Sequence, residues 1–426
     1  MVRFLLKGVL RDRSRSLLSF IIIGGCVTLT VFLRGFFVGF LDDMLRQSAV
    51  LLTGHVKVTT RAYAEEADLL PNNLAILEAD SLLKTLSAEY PDLFWSPRIT
   101  FAGLLDIPDE NGETRSQSPM MGIAVDLLSE DTQQPELWDL APKITRGRLP
   151  REPAEILLGE EFASRLEVEP GETATFIGST MHGGFTTYNF HVAGTVSLGV
   201  SGLGDYFILA DMEGAQQALD MEGAASEIFG FYNDMYYDDP AAVALKTGFN
   251  AIHNRADDEY SPFMQALRDQ NQMGQIVDYA QIEMWVIILI FMTVVTIVLW
   301  NLGLMNGLRR YGEFGMRLAM GETQGHVFRT TLGESAIIGL GASVVGTAIG
   351  LLLTWWVQEV GIDYSSMMEG YDITMTLVMR AKVTPDCWFI GFIPGVLATM
   401  LGTMLAGRGI YKRQLSQLFK ELELEA

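Results

Sequence analysis

The chain has 426 residues, 49% of them hydrophobic and only 19% charged, with a formal net charge of −22. A soluble chain carries about 25% charged residues, so the composition points to a membrane protein. The acidic balance argues against a nucleic-acid binder, which needs a basic face. Two cysteines in apolar surroundings, Cys26 and Cys387, exclude a disulfide framework or a cysteine-rich metal site.

Crossing a bilayer takes about 20 helical residues. The first candidate is the uncharged run Ser16 to Leu33, extended by Gly35 to Leu41 if Arg34 is accommodated. Before it, Arg3, Lys7, Arg11, Arg13 and Arg15 suggest a cytoplasmic amphipathic helix over 1–15. A basic start before an apolar run is also the form of a secretory signal, and Ile23-Gly24-Gly25-Cys26 resembles a lipoprotein-processing box. The apolar run continues well past Cys26, which predicts a retained membrane helix over 16–41.

The segment 42–283 carries 40 acidic and 14 basic residues, more than the whole net charge. It is long enough for its own core, and its charge reads as a solvated surface. Alternation predicts a strand at Gly54 to Thr59, 155–159 reads as a short buried strand, and 173–177, 188–196 and 205–210 are also expected to be strands. Helices are expected at 74–89, 160–166, 212–219 and 263–279, with a turn at 168–172. The pattern is α+β.

Three further spans follow at 284–308, 334–358 and 387–407. The loop 309–333 and the tail 408–426 are basic, whereas the loop 359–386 has Arg380 and Lys382 against five acids. Lys/Arg excess marks the cytoplasmic side, so both termini are expected inside and the segment 42–283 outside. Gly35-x-x-x-Gly39, Gly346-x-x-x-Gly350 and Gly391-x-x-x-Gly395 would allow close helix packing, and Pro394 a kink. Arg34 is either a functional intramembrane charge or a side chain snorkelling to the outer interface.

No Gly-Lys dipeptide occurs, so there is no Walker A loop, and there is no His-Glu-x-x-His or Gly-x-Ser-x-Gly. The five histidines show no metal-like spacing. No catalytic or metal residue is expected. After the second span, a short amphipathic helix should begin near Tyr311 and stop at Gly321. Glu313 and Arg317 are spaced as a helical ion pair, and Phe314 and Leu318 as an apolar pair.

The run Arg309-Arg310-x-x-Glu313-Phe314-Gly315-x-x-x-Ala319-x-Gly321, with Glu334 ahead of the next span, resembles the signature of the FtsX/MacB-type ABC transporter permeases. Gly54 to Val58 with Tyr63, Gly122 to Asp126, Gly147 to Leu149, and Glu155 to Gly159 through Gly171-Glu172 resemble the lipoprotein-releasing permeases LolC and LolE. The chain departs from the pattern at Gly122 to Asp126, where that group has Gly-Ile-Asp directly, and does not align over Tyr232 to Asp258.

The resemblance implies a type VII, MacB-like fold: four transmembrane helices and a large α+β extracytoplasmic domain after the first. That domain would comprise a porter-like part (42–130 and 225–283) and a sabre-like part (131–224). Arg310, Glu313, Phe314, Gly315, Arg317, Ala319, Met320 and Gly321 would form the coupling helix seated on a separate ATPase dimer, which binds the ATP and Mg; the chain itself would need no cofactor. The implied function is a permease subunit in the inner membrane that extracts a lipoprotein or other hydrophobic substrate by mechanotransmission. Its partners would be a second permease copy or paralogue, membrane lipids and a periplasmic chaperone or adaptor. The alternatives are an FtsX-like regulator of cell-wall hydrolases and a MacB-like drug or peptide efflux permease.

Overall fold

The computed structural model describes residues 13–109, 111–130, 132–197, 206–270, 272–308, 311–363 and 378–412. The expected N-terminal amphipathic helix and the C-terminal tail thus lie almost wholly outside the described residues. The chain divides into a membrane unit (1–41, 279–362 and 379–426) and an inserted unit (42–278 with 363–378).

Helix α1 (Arg13–Ser48) runs on past the span expected from the sequence and closes in a π turn, Ala49–Thr53. Gly54 ends it at φ 65°, a left-handed value that suits glycine. The inserted unit then follows as β1 (Val56–Thr60), α2 (Ala79–Glu89), β2 (Leu93–Pro108), β3 (Thr114–Val125), β4 (Ile144–Gly147), β5 (Glu155–Gly159), α3 (Glu160–Leu166), β6 (Thr173–Ser179), β7 (Phe185–Val196), β8 (Phe207–Asp211), α4 (Met212–Leu219), β9 (Glu227–Tyr232), α5 (Asp239–His253) and β10 (Pro262–Ala266).

These strands form one sheet in the order β10-β1-β9-β2-β3-β8-β5-β7-β4, with β6 pairing both β2 and β7. Among the described residues, β3 with β8 and β5 with β7 pair in parallel. Strand β2 holds the sheet together. Its first half, Leu93 to Arg98, pairs with β9, and Leu104 to Asp106 pair with β6. One core gathers Phe101, Leu105, Phe162, Phe176, Phe190 and Ile208. A second gathers Val56, Val58, Leu86, Trp95, Ile228 and Phe249. The β2–β3 hairpin is therefore shared between the 42–130 and 131–224 segments.

One expected helix is a strand at its start. Residues 262–266 pair antiparallel with β1, Val56 opposite Ala266, and bury Met264 and Ala266. The helical period begins only at Met273. Strands β2, β3, β4 and β9 and helix α5 are not expected from the sequence. Helix α5 has an N-cap legible in hindsight: Asp238 accepts from Ala241 N at 3.1 Å ahead of Pro240. His55, ahead of β1, is fully buried; its Nδ1 accepts from Tyr232 N at 2.9 Å. Burial pushes its pKa down to about 4.

In the membrane unit, α6 (Met273–Leu308), α7 (Tyr311–Ala319), α8 (Gln324–Val360) and α9 (Thr399–Lys412) follow. Among the described residues, four helical stretches are long and apolar enough to span a membrane: Leu17–Thr53, Trp285–Met305, Gln324–Val360 and Pro385–Gly407. The connection expected at 309–333 is shorter, because α8 already starts at Gln324. The fourth span is not one regular helix. It opens as a 3-10 turn, Pro385–Trp388, and passes through a π segment, Ile393–Ala398, that contains Pro394. Proline has no N–H to give, and the widened turn absorbs the break.

Candidate functional site

The residues that resemble a coupling helix form α7, nine residues between the second and third spans. It stops where expected: Met320 N and Gly321 N donate to Met316 O and Leu318 O, and Gly321 sits at φ 96°. Arg310 lies outside the described residues. Phe314 is 1% exposed and packs against Val327 of α8, with Leu318 alongside. Gly315 is buried next to it.

The opposite face is open. Met316 is 51% and Met320 79% exposed, and Ala319 is exposed between them. Positions i, i+3 and i+4 share one helix face, so these three form a single apolar strip. Arg317 Nε lies 3.0 Å from Glu322 Oε2, beyond the glycine stop. Phe314, expected at the partner surface, is instead the anchor that holds the helix onto its own chain. The reason is its position: Phe314 and Leu318 lie on the face that α8 covers.

Behind this helix, the membrane unit is built on close approach. A Cβ placed on Gly346 would lie 2.6 Å from Gly24 O and 2.9 Å from Val27 Cβ. On Gly350 it would meet Val31 Cβ at 2.8 Å, and on Gly391 Val27 Cγ1 at 2.5 Å. On Gly395 it would strike Ser343 Oγ and lie 2.8 Å from Val27 Cγ2. Val27 of the first span is thus a knob in a socket of three glycines from the third and fourth. Gly35 and Gly39 of α1 receive different neighbours. Their missing side chains make room for Thr354 and for the backbone of 380–382, where Lys382 N donates to Gly35 O at 2.9 Å. A further close approach brings Gly303 of α6 against Gly402 of α9; Gly303 and Gly307 share the GxxxG spacing, a pair not among the expected packing motifs.

Arg34 is 6% exposed, and its Nη2 lies 2.9 Å from Asp386 Oδ2 while its guanidinium lies 5.1 Å from the Trp285 ring. It joins the first span to the starts of the fourth and second. The Asp386 side chain is 57% exposed, so the charge is paired at the rim of the bundle. Among the described residues, no group of three or more His, Cys, Asp or Glu side chains is placed to hold a metal ion.

Residues 285–415 match the family model described as FtsX-like permease C-terminal. No curated protein matches the chain. Among solved structures, the chain is similar to the periplasmic region of MacB from Actinobacillus actinomycetemcomitans, at 15% identity and a TM-score of 0.34. That likeness covers 53% of this chain and 97% of the other.

Proposed function

We propose that this chain is a multi-pass FtsX-like permease, the permease subunit of an ABC transporter driven through α7 by a separate ATPase dimer; the family match over 285–415 and the four membrane-capable helices support this reading. The single observation that carries the coupling role is the exposed strip Met316, Ala319 and Met320 on a helix whose other face is anchored at Val327. An apolar strip fixed rigidly at the end of two spans suits a groove on a partner, and flexible methionines adapt to such a groove. Hydrolysis on the partner would move α7 and, through it, the second and third spans.

The work done on the other side would be extraction of a lipoprotein or another hydrophobic substrate from the membrane by the inserted unit. In this reading both termini and α7 are cytoplasmic, and the inserted unit is periplasmic, in agreement with the Lys/Arg bias of the short loops. A second permease copy or paralogue would complete the complex.

The experiment is to purify the complex and measure bound ATPase and substrate-stimulated hydrolysis. Met320→Asp and Met316→Asp should lose both, because an unpaired charge would be desolvated in the groove. Wild-type binding and stimulation in both variants would end the coupling assignment. Identification of the lipid, lipoprotein or drug that co-purifies decides the substrate class.

A further inference from the structure

The last turn of α1 belongs to the inserted unit, and its carbonyls cannot all find backbone donors. Ala49 O accepts from Gly54 N at 2.7 Å, closing the π turn. The next amide, His55 N, donates instead to Gly230 O in the sheet. Val50 O and Leu51 O are taken by one side chain: Arg98 Nη2 donates to the first at 2.9 Å and Nη1 to the second at 2.6 Å. Gln270 Nε2 donates to Thr53 O at 3.1 Å.

Arg98 stands on β2, paired on one side with Glu227 of β9 and on the other with Val125 of β3. Its guanidinium is buried between rings, 4.1 Å from the Phe229 centroid and 5.2 Å from that of Trp138. Burial draws its pKa down to about 10, which leaves it charged at neutral pH. A fixed positive fork against the negative end of a helix suits both the dipole and the two successive carbonyls. A neutral side chain would have served to fill the space; the fork grips the backbone.

We infer that Arg98 is a positioning residue that makes the inserted sheet follow the first membrane helix, gripping its final turn so that helix displacement reaches the strands. This rests on the proposed mechanotransmission, in which the first membrane helix moves. Two of the three side-chain bonds come from the middle of the sheet and the third from beyond β10, so the turn is held from two sides.

The test uses the full chain in lipid nanodiscs, followed by hydrogen exchange, and then its complex with the ATPase. Arg98→Met should raise amide exchange over residues 49–55 by about tenfold or more while β5 and β8 stay protected. Transport per ATP hydrolysed should fall by about tenfold with ATP hydrolysis itself retained, and Arg98→Lys should recover part of both. Unchanged exchange at 49–55 overturns the grip, whatever the chain transports. Faster exchange with unchanged transport per ATP overturns its role in coupling. If Arg98→Met unfolds the sheet, Gln270→Leu and Arg98→Lys carry the same two readouts. A chain that binds no ATPase refutes the proposed function, and the exchange result alone then decides the grip.

Discussion

The inserted unit is filled by rings: Phe101, Phe162, Phe176 and Phe190 are all buried in one core. The centre of the membrane unit is a valine among three glycines, Val27 against Gly346, Gly391 and Gly395. The two solvents explain the difference. In water, large apolar side chains stabilise by leaving the solvent, so a domain gathers them. In lipid that driving force between helices is gone, and stability comes from backbones that approach closely. In the membrane unit some hydroxyls bond within their own helix, as Thr354 and Thr399 do to Gly350 O and Gly395 O at 2.8 Å and 2.9 Å, while Thr28 Oγ1 donates across helices to Gly346 O at 3.0 Å.

The comparison can be broken at several points, beginning with the largest effect. Phe176→Ala empties a site that Phe101 also shares and should cost the inserted unit about 3–5 kcal/mol. Urea unfolding followed by tryptophan fluorescence checks it, and the membrane unit should be unaffected.

Acid should act next, again on the inserted unit alone. The buried His55 takes a proton only near pH 4, because burial penalises its charged form. The same imidazole in the unfolded chain takes it near pH 6.5. Between those values the unfolded state binds more protons, so stability falls as pH falls and is flat above the window. The total is roughly 3 kcal/mol. Stability of the full chain measured from pH 7 to 4 should show that slope, and His55→Gln should flatten it. Glu155 works lower: Arg148, at 2.6 Å, holds its pKa at about 2, so its contribution is lost as pH falls below the ordinary carboxylate range.

Gly346→Leu is the counterpart in lipid. With Gly24 O in the way, the first and third spans must separate, at a cost of about 1–3 kcal/mol. The melting temperature in detergent should fall, while the inserted unit keeps its urea midpoint. The smallest effect expected is that of Thr399→Val, which removes a bond within one helix. Its cost should be about 0.6 kcal/mol or less in the same thermal assay. A loss as large as that of Gly346→Leu would mean that hydroxyl bonding, not close approach, holds the bundle.

Part of this was legible in one dimension. Uncharged runs of about 20 residues marked the four spans, since only helices and closed barrels satisfy a backbone in lipid and runs of that length are helical. Alternation marked β1, a short continuous apolar run marked β5, and Gly321 marked the end of α7. The hairpin of β2 and β3 was not legible. Its apolar residues are interrupted by Arg98, Pro97 and Asp106, and it is held by pairing with residues more than a hundred positions away. Nor was the strand at 262–266, whose alternation is hidden by the helical run that follows it.

The sequence by itself determined which stretches are long and apolar enough to span a membrane, and that a short helix with a glycine stop follows the second of them. These depend on local composition and period, which every neighbour shares. Tertiary structure decided which face of that helix is free, turning Phe314 inward and leaving Met316 and Met320 outside. It also decided what Arg34 and Arg98 do. A charge in an apolar stretch is costly anywhere, and only the folded chain supplies Asp386 to one and the carbonyls of Val50 and Leu51 to the other.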